Sequence, residues 1–259
     1  MATPFLSIIT INYNQAEGLR KTIASVASQT YIDFEFIIID GHSTDKSVEV
    51  IEQNKDHIDY WVSEPDSGIY NAMNKGIKIA QGQYLLFLNS GDALTESNAL
   101  GNFINHSQFH GDIIYGDYQF QEGHKVYPDV LPTNYFMKTS LPHQSTFFKK
   151  SVFERMGFYD ESYKIGADRA FYIKCFADKS IVFQHIPYFL TLFDLSGLSN
   201  DSEYTEKKRQ EDARMFYEFY GSKYDDYKEQ LKQEAKQKRA KRNSLKGILK
   251  RIVNRIKKI

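Results

Sequence analysis

The chain has 259 residues, of which 41% are hydrophobic and 15% aromatic, so it can bury a full core as one large α/β domain with a tail or as two small domains, and a disordered chain is excluded. Its one cysteine, Cys175, excludes an internal disulfide and a cysteine metal cluster, and we expect a cytosolic protein with neither a signal peptide nor a membrane-spanning segment. The formal net charge is zero, but residues 232–259 carry twelve Lys and Arg against one acid, which leaves 21 bases and 32 acids in residues 1–231.

The first half of the chain alternates strand and helix patterns. Apolar runs rich in β-branched residues predict strands at 7–13, 34–40, 57–64 and 83–89. Between them, apolar residues recur every three or four positions, which predicts helices around 19–27 and 48–51 and over Ile69–Ala80, where Gly82 ends the last. Such units predict an α/β fold with a mostly parallel sheet and helices on both faces.

The second half has less regular patterns. Strands are predicted at 112–120, 143–149 and 180–186, and helices at 151–156, 167–176 and 205–220. We predict one domain over residues 1–200, with halves of about 1–92 and 93–200. A helical C-terminal extension is predicted over 201–259.

Polar residues directly after the predicted strands are the candidates for a site, because open parallel sheets bind ligands beyond the carboxyl ends of their strands. Asp40 ends the second strand and can accept hydrogen bonds from a base or ribose, with Gly41 allowing close approach. The alternative is that Asp40 and Asp45 only form a turn and a helix cap. Lys75 can reach a phosphate, or it is an ordinary solvated helix residue.

Two further carboxylates stand near element ends. Asp92 closes FLNSGD (87–92) and can hold a divalent cation, although the same residues suit an ordinary turn. Asp168 stands near a helix start and can act as general base, or it only favours the helix dipole. His143 is a second-rank candidate, because a lone histidine is more often structural.

Taken in order, several segments form a pattern that resembles glycosyltransferase family two, the inverting enzymes with the GT-A fold. They are SIITINYN, SVASQT, FIIIDGHSTD, SEPDSGIYNAMNKGIKIAQGQYLLFLNSGD and GADRAFYIK. The resemblance covers roughly Pro4 to Ile186 and is specific as a set. It implies a GT-A-like, Rossmann-like sheet.

The resemblance also implies roles for individual residues. Asp40 contacts the base, usually uracil, while Asp66 and Gly68 lie near the donor ribose and sugar. Asp92 is the last position of the DxD motif and holds Mg²⁺ or Mn²⁺, and Asp168 is the catalytic base. The remaining implied donor-binding residues are Thr10, Asn12, Asn14, Lys75, Asn89 and Ser90.

Two positions depart from the family pattern. The first DxD position is Ser90 if the motif is SGD, or Asn89 if it begins one residue earlier, so one carboxylate remains and a lower metal affinity is expected. The Glu of the family's Glu-Asp pair is Ala167, which leaves Asp168 without its neighbour. One carboxylate suffices for a base.

The resulting hypothesis is an inverting transferase that moves a sugar from a nucleoside-diphosphate sugar, expected to be a UDP-sugar, to a hydroxyl of a lipid-linked glycan or polysaccharide. The alternative is a catalytically weak nucleotide-sugar-binding scaffold in a glycan assembly complex. A sugar-phosphate nucleotidyltransferase would need a glycine- and basic-rich loop after the first strand, and residues 12–15 supply none.

The C-terminal segment NSLKGILKRIVNRIKKI (243–259) predicts a basic amphipathic helix. It suits an anionic membrane surface, which would place the protein peripherally on the inner face of the cell membrane. The alternatives are packing on its own surface or pairing with a second subunit in a homo-oligomer. Nucleic acid is not an expected partner, because the acidic body offers no basic groove.

Overall fold

The computed structural model describes residues 3–194 and 205–243, with side chains to residue 240. They fall into two compact units, one reaching to Glu211 and the other beginning at Asp212. The predicted basic helix of 243–259 lies outside the described residues beyond Asn243. No helix in the described ranges is long and apolar enough to cross a membrane.

The first four strands form the parallel part of the sheet. In spatial order they are β3 (Tyr60–Ser63), β2 (Phe34–Asp40), β1 (Leu6–Asn12) and β4 (Tyr84–Phe87), each parallel to its neighbour. The connecting helices are α1 (Ala16–Ala27), α2 (Ser47–Gln53) and α3 (Ile69–Ile79). All seven residues of β1 are buried, as expected for a strand covered on both faces.

The second half continues the same sheet with mixed pairing. The next strands in space are β8 (Thr146–Lys149), β6 (Ile113–Phe120), β9 (Phe183–Leu192) and β5 (Ala93–Leu94), while β7 (Gly123–Lys125) pairs with β6. Strand β8 is antiparallel to β4 and β6, whereas β6 and β9 are parallel. The helices here are α4 (Ala99–Ile104), α5 (Tyr135–Lys138), α6 (Lys150–Met156) and α7 (Ala167–Ala177). The α/β fold is confirmed, with the parallel order confined mainly to its first half.

Several predicted strands differ in extent from the observed ones, and the differences in three of them have a local reason. The run 143–149 begins with a short 3₁₀ turn at His143–Ser145, in which Ser145 N donates to Pro142 O, so its strand starts at Thr146. The run 57–64 is a strand only over β3, because Lys55–His57 form a 3₁₀ turn. Strand β9 continues well past residue 186, to Leu192. Its pairing with β6 shifts register at the stretch that contains Pro187, and this irregularity lets the strand continue beyond a residue that has no N–H to donate.

A close approach at Gly76 fixes α3 against the sheet. A Cβ there would lie 2.5 Å from Ile9 Cγ2 in the middle of β1. Only glycine allows the helix to pack at this separation, and Ile77 and Met73 of the same helix are also buried. The first turn of α3 is therefore held near the carboxyl end of the sheet.

The second unit is helical. Helix α8 (Thr205–Tyr220) begins in the first unit and crosses the division, and α9 (Ser222–Asn243) follows after Gly221. Gly221 has φ +53°, in the left-handed region that favours glycine between two helices. Within this unit the ring of Tyr224 lies 5.0 Å from the ring of Phe216, centroid to centroid.

Candidate active site

The ends of β1, β2 and β3 meet at one edge, where Asn12 pairs in register with Asp40 and Asp40 with Ser63. Asp40 accepts four short hydrogen bonds there. Oδ1 accepts from Asn12 Nδ2 at 2.7 Å and from Ser43 Oγ at 2.5 Å, and Oδ2 accepts from Ser43 N at 2.9 Å and from Ser63 Oγ at 2.6 Å. Its carboxylate therefore joins three strand ends.

This arrangement changes the interpretation of Asp40. The side chain is completely buried, with 0% exposure, and both oxygens accept hydrogen bonds from the protein. Hydrogen-bonded buried carboxylates hold structure in place. Asp40 braces the loops beneath the site, and a direct contact with a nucleotide base would require this network to open.

Thr10 likewise lies beneath the site surface. Its Oγ1 donates to Leu88 O at 2.6 Å, and the residue is fully buried between β1 and the end of β4. The prediction that Thr10 binds the donor therefore conflicts with its position in the core.

Asn14 lies at the exposed mouth of the loop after β1. Its backbone N donates to Ser43 Oγ at 2.8 Å, and Thr44 N donates to its Oδ1 at 2.8 Å. The φ angles of Asn14 and His42 are +51° and +64°, which non-glycine residues adopt rarely. Strained backbone at a loop mouth is typical of functional sites.

Tyr13, Gly41 and Asp66 come together at this mouth. A Cβ on Gly41 would lie 2.5 Å from Asp66 Oδ2 and 3.3 Å from Tyr13 Cδ2. Tyr13 is 64% exposed, unusual for so large an aromatic side chain. The sequence analysis does not include Tyr13 among the candidate site residues, although its position between Asn12 and Asn14, two candidates, points to the same loop. Together the three residues form an open surface suited to a flat, polar-edged ring.

The loop from Glu64 to Gly68 is held by its own contacts. Asp66 Oδ1 accepts from Gly68 N at 2.9 Å, and Gly68 has φ +132° at the start of α3. Lys75 Nζ lies 2.7 Å from Glu64 Oε1 and donates to Pro65 O at 2.9 Å. Lys75 therefore braces this loop from below, and a phosphate contact would require it to leave both partners.

The turn after β4 contains polar oxygens without partners. Asn89 Oδ1 and Ser90 Oγ are buried and accept no hydrogen bond from any described residue. Helix α1 holds the turn, with Lys21 Nζ donating to Gly91 O at 2.8 Å and Thr22 Oγ1 to Asp92 O at 2.7 Å. Buried orphan oxygens in a fixed turn are available to a ligand.

Asp92 has a second carboxylate beside it, from the end of β9. Asp194 N donates to Asp92 Oδ1 at 2.9 Å, and a Cβ on Gly91 would collide with Asp194 Oδ2. Asp92 is only 4% exposed. Burial raises its pKa to about 7, with a further contribution from the Asp194 carboxylate. A buried carboxylate with an acidic neighbour is stabilised in its charged form by a cation.

These residues fit a hard divalent cation. Mg²⁺ binds through one or two carboxylates and completes its shell with water or substrate phosphate oxygens. Asp92 and Asp194 supply two carboxylates, and Asn89 and Ser90 supply orphan oxygens in the same turn. Within the described residues no group of three or more His, Cys, Asp or Glu surrounds one point. Water or the phosphate oxygens of a ligand would complete the coordination shell of such a cation.

Asp168 stands in the first turn of α7 and is partly exposed. Its Oδ1 accepts from Tyr70 OH at 2.9 Å, and Tyr70 is in the first turn of α3. The loop before Asp168 is fixed by Glu211, whose carboxylate accepts from the backbone N of three successive residues, Lys164, Ile165 and Gly166. The structure thus brings Asp168 to the helix that follows Asp66 and Gly68.

His143 lies in an aromatic cluster. Its ring centroid is 4.8 Å from that of Phe87, and its Nε2 is 2.8 Å from Tyr159 OH. Burial lowers the pKa of His143 to about 4, so the ring is neutral at physiological pH. These contacts indicate a packing role for the histidine.

The comparisons with known proteins agree with this geometry. The family described as glycosyl transferase family 2 matches residues 7–177. A PGL/p-HBAD biosynthesis glycosyltransferase of Mycobacterium bovis is 31% identical over 221 residues, which cover 80% of this chain and 85% of the relative. An uncharacterised glycosyltransferase of Rickettsia typhi is 31% identical over 200 residues, covering 71% of this chain and 62% of the relative.

Solved structures share the fold at low sequence identity. The TarS 1–349 fragment of S. aureus in complex with UDP-GlcNAc has a TM-score of 0.63 at 17% identity, covering 83% of this chain and 67% of the fragment. Against a longer TarS chain, this chain spans 37% of that length. A mannosyltransferase of Pyrobaculum calidifontis in complex with GDP-Man and Mn²⁺ has a TM-score of 0.58 at 15% identity, covering 77% and 59%.

Proposed function

We propose that this chain, which belongs to glycosyl transferase family 2, is an inverting glycosyltransferase that uses a UDP-sugar and glycosylates a hydroxyl of a lipid-linked glycan or polysaccharide. The observation that carries the proposal is the pairing of two carboxylate sites at one edge of the sheet. Asp92 and Asp194 lie at the turn after β4, and Asp168 lies against the helix that follows the Asp66 loop. One suits a diphosphate with its cation, and the other suits an acceptor hydroxyl.

In the proposed single displacement, some residues bind the donor and another accepts the proton of the acceptor hydroxyl. The exposed ring of Tyr13 and the loop of Asp66 and Gly68 bind the nucleoside and sugar of the donor. Asp168 accepts the proton of the acceptor hydroxyl as its oxygen attacks the anomeric carbon. Attack on one face while the diphosphate leaves from the other inverts the anomeric configuration.

Asp92 and Asp194 would hold Mg²⁺ or Mn²⁺. When bound, the cation neutralises negative charge on the diphosphate leaving group. Asn89 and Ser90 of the same turn contribute buried oxygens that have no hydrogen-bond partner among the described residues. The single carboxylate of the DxD motif is the one feature that favours the alternative of a catalytically weak scaffold, and a second carboxylate from Asp194 beside Asp92 argues against it.

A thermal-shift panel tests the donor class. UDP-glucose, UDP-galactose, UDP-N-acetylglucosamine and GDP-mannose are each added with Mn²⁺ and again with a chelator, and the melting temperature is recorded. A donor that binds only the folded chain raises the melting temperature. We expect a UDP-sugar to do so with Mn²⁺ and less with the chelator. No shift with any nucleotide sugar would contradict the proposal.

Membrane attachment is proposed separately, from the sequence of the C-terminal segment. Six Lys and Arg alternate with seven Leu, Ile and Val within 243–259, and such helices lie in interfaces that contain anionic lipid. The protein would then act peripherally on the cytoplasmic face, where lipid-linked acceptors are presented. Deleting residues 240–259 is expected to move the protein from the membrane to the supernatant fraction, and an unchanged distribution would refute this.

A further inference from the structure

We propose that Tyr70 is a positioning residue for the general base, acting through Asp168 and not through substrate. The proposal rests on the proposed function, because it gives Tyr70 a role in the proton transfer assigned to Asp168. Tyr70 is 5% exposed at the start of α3, so its ring is not available to a ligand.

The hydroxyl of Tyr70 lies between two acceptors. It is 2.9 Å from Asp168 Oδ1 and 2.6 Å from Ile165 O. A tyrosine hydroxyl has one proton to donate, so the two acceptors compete for it. Burial and the neighbouring carboxylate hold the pKa of Tyr70 well above its ordinary value, so the hydroxyl keeps this proton. Because an ionised carboxylate is a stronger acceptor than a backbone carbonyl, this proton is directed to Asp168 when that carboxylate is charged.

This contact leaves one oxygen of Asp168 for chemistry. Oδ2 makes no hydrogen bond with any residue that the structure describes, and the side chain is partly exposed. A base whose Oδ1 is fixed presents Oδ2 in one orientation to an acceptor hydroxyl. Donation from Tyr70 also stabilises the ionised form, which is the form that accepts a proton. Tyr70 thus sets the direction in which the base presents its free oxygen.

The same stretch of α3 is tied to the segment before Asp168. Asn71 Nδ2 and Asn74 Nδ2 each donate at 2.9 Å to one oxygen of Glu161, and Lys164 Nζ donates to Ser67 O at 2.9 Å. Ser67 directly follows Asp66 in the proposed donor loop. The donor loop and the base are therefore held in one frame, and Tyr70 is the member of that frame that touches the base.

The test compares Tyr70→Phe with Tyr159→Phe. Tyr159 is 3% exposed, its ring is 5.6 Å from that of Tyr70, and its hydroxyl contacts His143, so its substitution removes a buried hydroxyl from the same cluster without touching Asp168. Hydrolysis of the four panel donors is followed as nucleotide release, and kcat, KM and the pH profile of kcat are measured for the donor hydrolysed fastest.

We expect Tyr70→Phe to lower kcat by about tenfold with the donor KM changed less than about twofold, and to move the acid limb of the profile to higher pH. Tyr159→Phe should leave kcat, the donor KM and the pH profile of kcat unchanged. In an Asp168→Asn background, Tyr70→Phe should have little further effect, because the residue through which it acts is gone.

Each outcome decides one question. If the wild-type protein hydrolyses a donor and Tyr70→Phe matches Tyr159→Phe in kcat and pH profile, the role of Tyr70 is overturned while the proposed function stands. A wild-type protein that hydrolyses no donor overturns the proposed function together with this inference. If Tyr70→Phe does not fold, 3-fluorotyrosine at position 70 retains the hydroxyl and makes it more acidic. The acid limb should then move to lower pH, and an unchanged profile would overturn the role.

Discussion

The last residue of β2 and the turn after β4 lie at the same edge of the sheet, and each provides a buried aspartate. Asp40 accepts four hydrogen bonds from the protein, whereas Asp92 Oδ1 accepts one from Asp194 N and lies beside a second carboxylate. The protein alone supplies the partners of Asp40. Around Asp92, Lys21 offsets only part of the cost of burial and of the Asp194 carboxylate, and the pKa stays raised, so a bound cation would stabilise this carboxylate further. The difference separates a structural carboxylate from one suited to a ligand.

The largest expected effect is the loss of Asp40. Asp40→Ala leaves the buried donor of Asn12 and the part-buried donors of Ser43 and Ser63 without an acceptor, which costs roughly 3–5 kcal/mol of unfolding free energy. Urea denaturation measures the change. The exposed Asp56 provides a control, and Asp56→Ala should stay within about 0.5 kcal/mol of wild type. Equal effects of the two substitutions would remove Asp40 from its bracing role.

In the presence of a chelator, Asp92→Asn should raise the unfolding free energy, whereas Asp40→Ala lowers it. The pKa of Asp92 rises from 3.8 to about 7 on folding, so the unfolding free energy falls as the pH rises through this window. Replacing the carboxylate by a neutral amide removes that cost, and we expect a gain on the order of 1–3 kcal/mol at pH 8. Denaturation at pH 5 and pH 8 measures the gain, which should be smaller at pH 5. A loss of stability at pH 8 would contradict the comparison.

In the second half of the sheet, the buried ring of His185 lies between a buried carboxylate, Asp117, and an exposed one, Asp129. Its Nδ1 is 2.6 Å from Asp129 Oδ1 and its Nε2 is 3.0 Å from Asp117 Oδ1. Both ring nitrogens face acceptors, so the ring donates from both when protonated. Burial lowers the pKa of His185, but the hydrogen bonds to Asp117 and Asp129 outweigh it and raise the pKa above 6.5.

The sign of this shift predicts a pH dependence. The contribution of His185 to stability is complete below pH 6.5 and is lost as the pH rises through its raised folded-state pKa. His185→Gln should cost about 1–2 kcal/mol at pH 6 and less at pH 9. The difference between variant and wild type, measured by urea denaturation at both pH values, checks this. A constant difference would show that the ring is neutral in the folded protein.

The smallest expected effect on stability is at Gly41. Gly41→Ala places a Cβ 2.5 Å from Asp66 Oδ2, which is the end of a flexible side chain that can move. We expect less than about 1 kcal/mol in unfolding free energy. Displacement of Asp66 should nevertheless weaken nucleotide-sugar binding by about tenfold. Calorimetric titration with the donor found in the thermal-shift panel measures this, and unchanged affinity would remove Asp66 from the donor loop.

The sequence predicted the parallel half of the fold because its strands are continuous apolar runs and its helices have a clear period. Strands β5 and β7 contain two and three residues, too few to show any period. Pro187 obscured the length of β9, because a proline interrupts the pattern expected of a strand. Short and interrupted strands form where tertiary pairing supplies what local pattern lacks.

The site was predicted as a set of strand-end carboxylates, but their roles depend on contacts over long distances in sequence. Asp194 reaches Asp92 across 102 residues, and Tyr70 reaches Asp168 across 98. The saturation of Asp40 depends on Ser43 and Ser63, which resemble ordinary turn residues. Residue type and position in the chain are enough to identify the carboxylates as candidates. The number of hydrogen bonds that each one accepts from the protein can be known only from the folded structure.

Binding of Mn²⁺ tests the central claim most directly. Mn²⁺ is titrated calorimetrically into wild-type protein, Asp92→Asn and Asp56→Asn, each in the presence of UDP and, in parallel, of GDP. We predict that wild type and Asp56→Asn bind Mn²⁺ together with UDP, and that Asp92→Asn loses at least about tenfold in affinity. Equal Mn²⁺ affinity in Asp92→Asn and wild type would contradict the assignment of the turn after β4 as the cation site.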